Sequence, residues 1–176
     1  MSTFTIEVQD QDVRSALNRL ADKANNMQPM LQGLGDDIVE RTKRRFETST
    51  GPDGVKWKAN ADATLGVLRA GLGKSYRKKN GDLNAAGERR IAGKKPLIGE
   101  SGDLRREIVA IASNTQLAVN AGADYAAIHQ FGGKAGRGLK VTIPARPYLP
   151  IDQGGDLYPE EKALVLEAIN DYLMDI

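Results

Sequence analysis

The chain has 176 residues, enough for one domain with a sizeable core, and its 40% apolar and 27% charged residues fit an ordinary folded protein. Cysteine is absent and histidine occurs once, at His129, which excludes disulfides, thiolate nucleophiles and metal sites built on cysteines or several histidines. Net charge is only +2, yet residues 51–95 carry eleven basic and four acidic side chains, a local +7 that leaves the rest of the chain at −5. Such asymmetry points to an oppositely charged partner or to a solvated loop.

Taken in order, Phe4, Ile6 and Val8 alternate with polar residues and predict a short strand with one buried face. The start of the chain lacks the basic and apolar regions of a signal peptide, and no apolar run is long enough to span a membrane, so synthesis in a cytoplasm is expected. Asp10 or Asp12 can cap a first helix whose stripe is Val13, Ala16, Leu17, Leu20, Ala21 and Ala24. A second helix begins near Pro29 and turns Leu31, Leu34, Ile38, Thr42 and Phe46 inward, with Arg41, Lys43, Arg44 and Arg45 complementing its dipole. Gly33 and Gly35 weaken its first turns.

Residues 49–95 read as a long, basic, Gly-rich loop inserted into a single domain of residues 1–176, with short helices possible near 61–70 and 83–91. The stretch 65–95 is expected to be mobile and open to proteases. Leu104–Ala112 and Gln116–Ala121 predict a hairpin, and Tyr125–Phe131 a short apolar segment of two helical turns. Residues 132–138 read as a flexible loop. Leu139, Val141 and Ile143 alternate as another strand, and Pro144, Pro147 and Pro150 break regular structure after it. The last helix starts at Pro159, with Leu164, Val165, Ala168, Ile169 and Tyr172 as its stripe. The fold class is α+β: a small antiparallel sheet packed with N-terminal and C-terminal helices.

Chemical motifs are scarce. Gly132–Gly138 lacks the Gly-Lys-Ser/Thr ending of a phosphate loop, Gly71-Leu72-Gly73 lacks the third glycine of a dinucleotide site, and Asp103 spoils a nucleophile elbow at Ser101. His129 has no partner at helical spacing to make it a general base and reads as structural. The basic run at Arg77, Lys78 and Lys79 can neutralise DNA phosphates or merely solvate a loop; Trp57 and Tyr76 are too few for a base-stacking platform. Trp57 itself reads as a packing anchor or an interface residue. Ile143–Leu149 reads as a rigid, partly exposed contact arm in which the Arg146 fork suits a carboxylate on the core or on a neighbour.

Four segments, in order, resemble the phage virion morphogenesis, or tail completion, proteins of contractile-tailed phages and Mu-like prophages. They are Gly51-Pro52-Asp53-Gly54-Val55-Lys56-Trp57, Pro96–Arg105 with Gly102 and Leu104, Tyr125-Ala126-Ala127-Ile128-His129-Gln130-Phe131-Gly132, and Ile143-Pro144-Ala145-Arg146-Pro147-Tyr148-Leu149. Tyr148 stands where the family usually has Phe, and Asp152-Gln153-Gly154-Gly155 departs from the family's ending. The resemblance implies a non-catalytic protein without a cofactor, assembling at the head-proximal end of the tail beside tail-tube and neck proteins. Related neck and terminator proteins form rings, commonly of six subunits. The alternative is a small cytoplasmic DNA-binding protein that uses the basic loop. On the first reading, Trp57, Arg77, Lys78, Lys79, Arg146 and Tyr148 are candidate contact residues. Asp53, Gly54, Gly102, Leu104, Tyr125, His129, Gln130, Phe131 and Gly132 carry structural roles.

Overall fold

The computed structural model describes residues 10–99 and 101–175. The expected strand at Phe4–Val8 lies outside them. In chain order the described elements begin with α1 (Gln11–Asn25), α2 (Gln28–Thr48) and α3 (Asp62–Gly71), followed by a 3-10 turn at Lys74–Tyr76. Then come α4 (Ala85–Ala92), α5 (Asp103–Arg106), β1 (Ile108–Ala112), β2 (Leu117–Ala121) and α6 (Ala126–Phe131). The chain continues through β3 (Gly133–Ala135), a 3-10 turn at Arg137–Leu139, β4 (Val141–Ile143) and α7 (Pro159–Met174). The α+β class holds, with the strands divided into two separate antiparallel hairpins, β1–β2 and β3–β4.

Helix α2 organises the domain. Leu34, Ile38, Thr42 and Phe46 recur at four-residue spacing and are all buried, as the sequence periodicity requires. One face of α2 lies on the β1–β2 hairpin, and here Gly35 has a packing role. A Cβ at Gly35 would fall 2.6 Å from Leu117 Cδ1 and 2.7 Å from Ala110 Cβ, so only glycine lets helix and hairpin approach this closely. The main core gathers Val39, Phe46, Trp57, Leu104, Ile108, Ala126 and Tyr148. Helix α7 closes the domain from the other side. Its inner stripe is Glu161, Val165, Ala168, Ile169 and Tyr172, while Leu164, expected inward, is 42% exposed.

Three expectations change. The stretch read as a strand from Leu104 splits: Gly102 enters left-handed backbone (φ 68°) and starts the single turn α5, and the strand begins only at Ile108. Residues 132–138, read as a flexible loop, supply β3, whose Gly133, Lys134 and Ala135 pair with Ile143, Thr142 and Val141. The glycines there are turn-makers: Gly132, Gly136 and Gly138 all have φ between 72° and 77°. The basic insertion is folded, with helices close to where short ones were expected. Leu72, Leu83 and Ile91 are buried in a satellite cluster with Leu65, Leu68 and Tyr76 against it.

Helix α1 is the exception to this packing. None of its residues is buried, and Val13 and Leu17 are 60% and 59% exposed. Its C-terminal end is held to the end of α7, where Lys23 Nζ donates to the Tyr172 carbonyl at 2.9 Å and the Tyr172 hydroxyl donates to the Asn26 carbonyl at 3.0 Å.

Candidate functional site

The motif-bearing segments converge on one place, the extended rod of residues 144–151 that follows β4. Chain with three prolines cannot pair as a regular strand, so its polar groups must be met by side chains. Gln130, on α6 and only 2% exposed, does most of this. Its Oε1 accepts from both the Tyr148 and Leu149 amides at 2.9 Å, and its Nε2 donates to the Ile151 carbonyl at 2.8 Å. The amide side chain thus stands in for a strand neighbour.

Trp57 is delivered to the rod by the turn before it. Gly54 N donates to the Gly51 carbonyl at 3.1 Å, Gly54 takes φ 73°, and Asp53 Oδ1 accepts from Val55 N at 3.0 Å. Pro52, Asp53 and Gly54 each suit their place in such a turn. The chain reverses and Trp57 lands edge-on to Phe46, ring centres 5.5 Å apart, with its Nε1 donating to the Pro147 carbonyl at 2.9 Å. Tyr148 packs against the same Phe46 at 5.2 Å and is fully buried. Its hydroxyl donates to the Ala126 carbonyl at 3.0 Å, which gives the extra oxygen of tyrosine a partner at a position where phenylalanine was the expected residue. Burial, reinforced by Tyr125, pushes that phenol up to about 12.

Arg146 is not on an exposed arm. It is 7% exposed, and its Nε and Nη2 donate to the Lys58 and Ala59 carbonyls at 2.8 and 2.9 Å. The expected carboxylate partner is replaced by main chain at the start of the insertion. The contact reading for Trp57, Arg146 and Tyr148 therefore gives way to a bracing one, because these side chains are spent inside their own domain. Arg77 also turns homeward, donating to the Leu72, Gly81 and Arg69 carbonyls. Lys78 and Lys79, at the tip of that turn, are exposed.

The remaining motif residues are structural in different ways. Leu104 is 2% exposed, beneath the turn that Gly102 begins. A Cβ at Gly132 would lie 2.8 Å from Ala145 N, so the rod passes directly over this glycine. Tyr125 and Phe131 are largely at the surface, 46% and 38% exposed. His129 meets Tyr125 edge-on at 5.7 Å, its carbonyl accepts from Arg146 N at 2.8 Å, and its buried Nδ1 has no partner among the described residues. Burial, and next the nearby Arg146 charge, hold the imidazole below its ordinary 6.5.

This has a measurable consequence. The unfolded chain takes up a proton near pH 6.5 and the folded chain resists it, so the stability contributed by neutral His129 is present above that pH and declines as pH falls below it. The urea midpoint should drop between pH 7 and 5 in the native chain, and the part of that drop due to His129 should vanish in His129→Gln. Since this is the only histidine in the sequence, an unchanged pH profile in the variant would contradict the assignment.

What the sequence did not reveal is the ion pair beneath the rod. Arg45, at the end of α2, and Glu161, in the first turn of α7, are 7% and 4% exposed and hydrogen-bonded to each other. Arg45 Nη1 also donates to the Tyr148 carbonyl at 2.7 Å, and Arg41 Nη2 approaches Glu161 at 3.2 Å. Burial lowers the Arg45 pKa, with Glu161 opposing that effect. Arg45 read as one of several helix-end cations; only its spacing of three from Thr42, on the buried stripe, hinted otherwise.

The chain belongs to the phage virion morphogenesis family, whose model it matches over residues 8–174, a span that takes in the rod and every segment that clamps it. Among individual proteins it is similar to the Mu-like prophage FluMu G protein 2 of Haemophilus influenzae, 32% identical over 162 residues, covering 92% of this chain and 89% of that protein. No solved structure matches the chain. It is thus a protein of phage particle assembly, and no helix among the described residues is long and apolar enough to cross a membrane.

Proposed function

We propose that this chain is a non-enzymatic structural protein that completes the tail and joins it to the head, acting as a ring, a hexamer by analogy with related terminators, on the head-proximal end of the tail tube. The observation that carries this reading is how the motif residues are used. Gln130, Tyr148, Arg146 and Trp57 have their polar groups satisfied by the chain's own backbone, which suits a rigid building block. A tube of stacked rings ends in a surface of fixed symmetry, and a ring of the same symmetry closes it by repeating one contact.

Assembly would take place in the host cytoplasm, with the protein carried into the virion at the tail or neck and contacting tail-tube and neck subunits. A phage lacking the gene should accumulate filled heads and separate tails that do not join, or tails of abnormal length, as counted by electron microscopy. The first outcome assigns joining and the second termination. Normal infectious particles would refute both.

A second reading rests on the insertion. Lys78, Lys79, Arg89 and Arg90 are exposed on a segment that is net basic. DNA contact by these groups would appear as an affinity falling steeply with salt, by about one unit of log–log slope for each phosphate neutralised. A flat salt dependence would remove it.

A further inference from the structure

Charge in this chain is concentrated at two places. Residues 51–95 are net +7, and residues 150–175 hold seven acidic side chains against one basic, Lys162, for a net −6. The remainder is net +1. Glu161 is spent on Arg45, but Glu160, Glu167 and Asp171 are exposed on the outer side of α7. Leu164 and Met174, 42% and 72% exposed, lie among them. The five recur at alternating spacings of four and three residues, which lays them along one seam.

The insertion helps to form a surface of the opposite kind. An open cleft of about 1030 Å3 lies between α3 on one side and α5, α6 and β4 on the other. Its apolar walls include Leu97, Ile98, Val67 and Val141, the last two 76% and 54% exposed. Lys58, Lys94, Lys95 and Arg146 line it against two carboxylates, Asp62 and Asp103. A helix is about 10 Å across and rises about 5.4 Å per turn, so this volume is on the order of two turns, the distance from Leu164 to Asp171.

We propose that this cleft receives the outer seam of α7 from a second copy of the chain. Glu167 and Asp171 then meet the lysines, and Leu164 meets the apolar walls. Both halves of the match select the occupant. A nucleic acid brings the negative charge but no aliphatic side chain to cover Val67 and Val141. Residues 1–9 bring apolar side chains but a single carboxylate, that of Glu7. The α7 of the same chain is committed elsewhere, because Arg45 and Glu161 fix it to α2 and none of its residues lines the cleft. Contacts of cleft with cleft, or of seam with seam, would oppose like charges, so electrostatics favours head-to-tail pairing. Such a contact joins unlike patches and closes into a ring when the rotation permits.

The inference deepens the ring reading and rests on it, and the test separates the two. One variant reverses the seam, Glu160→Lys/Glu167→Lys/Asp171→Lys, and another reverses the cleft, Lys58→Glu/Lys95→Glu. All five side chains are exposed, so helical circular dichroism should be unchanged. Each variant alone presents like charges at both surfaces and should sediment as a monomer. An equimolar mixture should restore the oligomer, since the seam of each then opposes the cleft of the other. The native chain has no cysteine, so single cysteines report cleanly. Leu164→Cys chains mixed under mild oxidation with Val67→Cys or Val141→Cys chains should give a disulfide-linked heterodimer from at least one mixture. An oligomer that survives either reversal, fails to return on mixing or forms neither crosslink overturns the contact and leaves the ring standing. So does an intrachain crosslink in a monomeric Phe4→Cys/Val67→Cys variant, which would put the chain's own start in the cleft. Duplex DNA binding that is lost on reversing the cleft while the oligomer persists overturns it in favour of DNA. A native chain that remains monomeric at all concentrations overturns both contact and ring.

Discussion

Glu161→Gln is expected to cost about 3–5 kcal/mol of folding stability. The carboxylate is 4% exposed and, among the described residues, is the only acidic group bonded to the guanidinium of Arg45, itself 7% exposed. Removing the negative charge strands a positive one where water cannot reach it, and the Tyr148 carbonyl, which accepts from Arg45 at 2.7 Å, supplies only a dipole in compensation. Arg41, which leans on the same carboxylate at 3.2 Å, then adds repulsion. The double variant Arg45→Met/Glu161→Leu should recover much of the loss, since two apolar side chains of similar size need no partner. Urea unfolding of Arg45→Met, Glu161→Leu and the double variant, beside the native chain, forms a complete cycle. Single losses near the ~1 kcal/mol typical of exposed pairs would show that the pair is hydrated and the reasoning wrong.

Gln130→Ala should be about as damaging, at roughly 3–5 kcal/mol, by a different route. No charge is involved. Two amides, of Tyr148 and Leu149, lose a shared acceptor, and the Ile151 carbonyl loses its donor; the first of these bonds is buried and the other two are partly buried. Each stranded group costs about 1–3 kcal/mol. Gln130→Asn should resemble the alanine variant, because a side chain shorter by one carbon cannot bridge α6 to the rod. Hydrogen exchange gives a sharper readout than stability: protection at the Tyr148 and Leu149 amides should fall more than at β1, which pairs with β2 and takes no bond from Gln130. Uniform loss across the domain would mean that Gln130 supports packing in general and the rod not in particular.

The elements that were legible in the sequence are those with a period. The buried stripe of α2, the β1–β2 hairpin, α6 and α7 follow from spacing, because one-sided burial imposes spacing. What escaped depends on contacts between distant segments. Gly35 weakens a helix when the helix is read alone, yet in the fold it is the point where α2 touches Leu117 and Ala110. Arg45 looks like any helix-end cation until α7 brings Glu161 beneath it. In the insertion, Leu65, Leu68 and Leu72 do have helical spacing, but the surrounding lysines and glycines masked it. At the candidate site, the exposure of the rod was misread. Proline and arginine in Ile143–Leu149 suggest an outward arm by composition, whereas Gln130 and Trp57, acting from other segments, fold it into the centre.

The two ends of the basic insertion meet. Asn60 Nδ2 donates to the Lys94 carbonyl at 3.0 Å, Lys94 is bonded to the Ile98 carbonyl, and Arg146 grips Lys58 and Ala59 from the rod. The thirty-odd residues between them are therefore a closed cassette clipped to the domain at its neck, with a hydrophobic kernel of its own. Since loop closure is already provided at the clip, lengthening, shortening or exchanging the cassette changes the ordering entropy of the parent domain only slowly, about 0.6 kcal/mol for each doubling of length. The fold thereby offers a socket: the cassette can be redesigned wholesale, while the clamped rod beneath it stays the same.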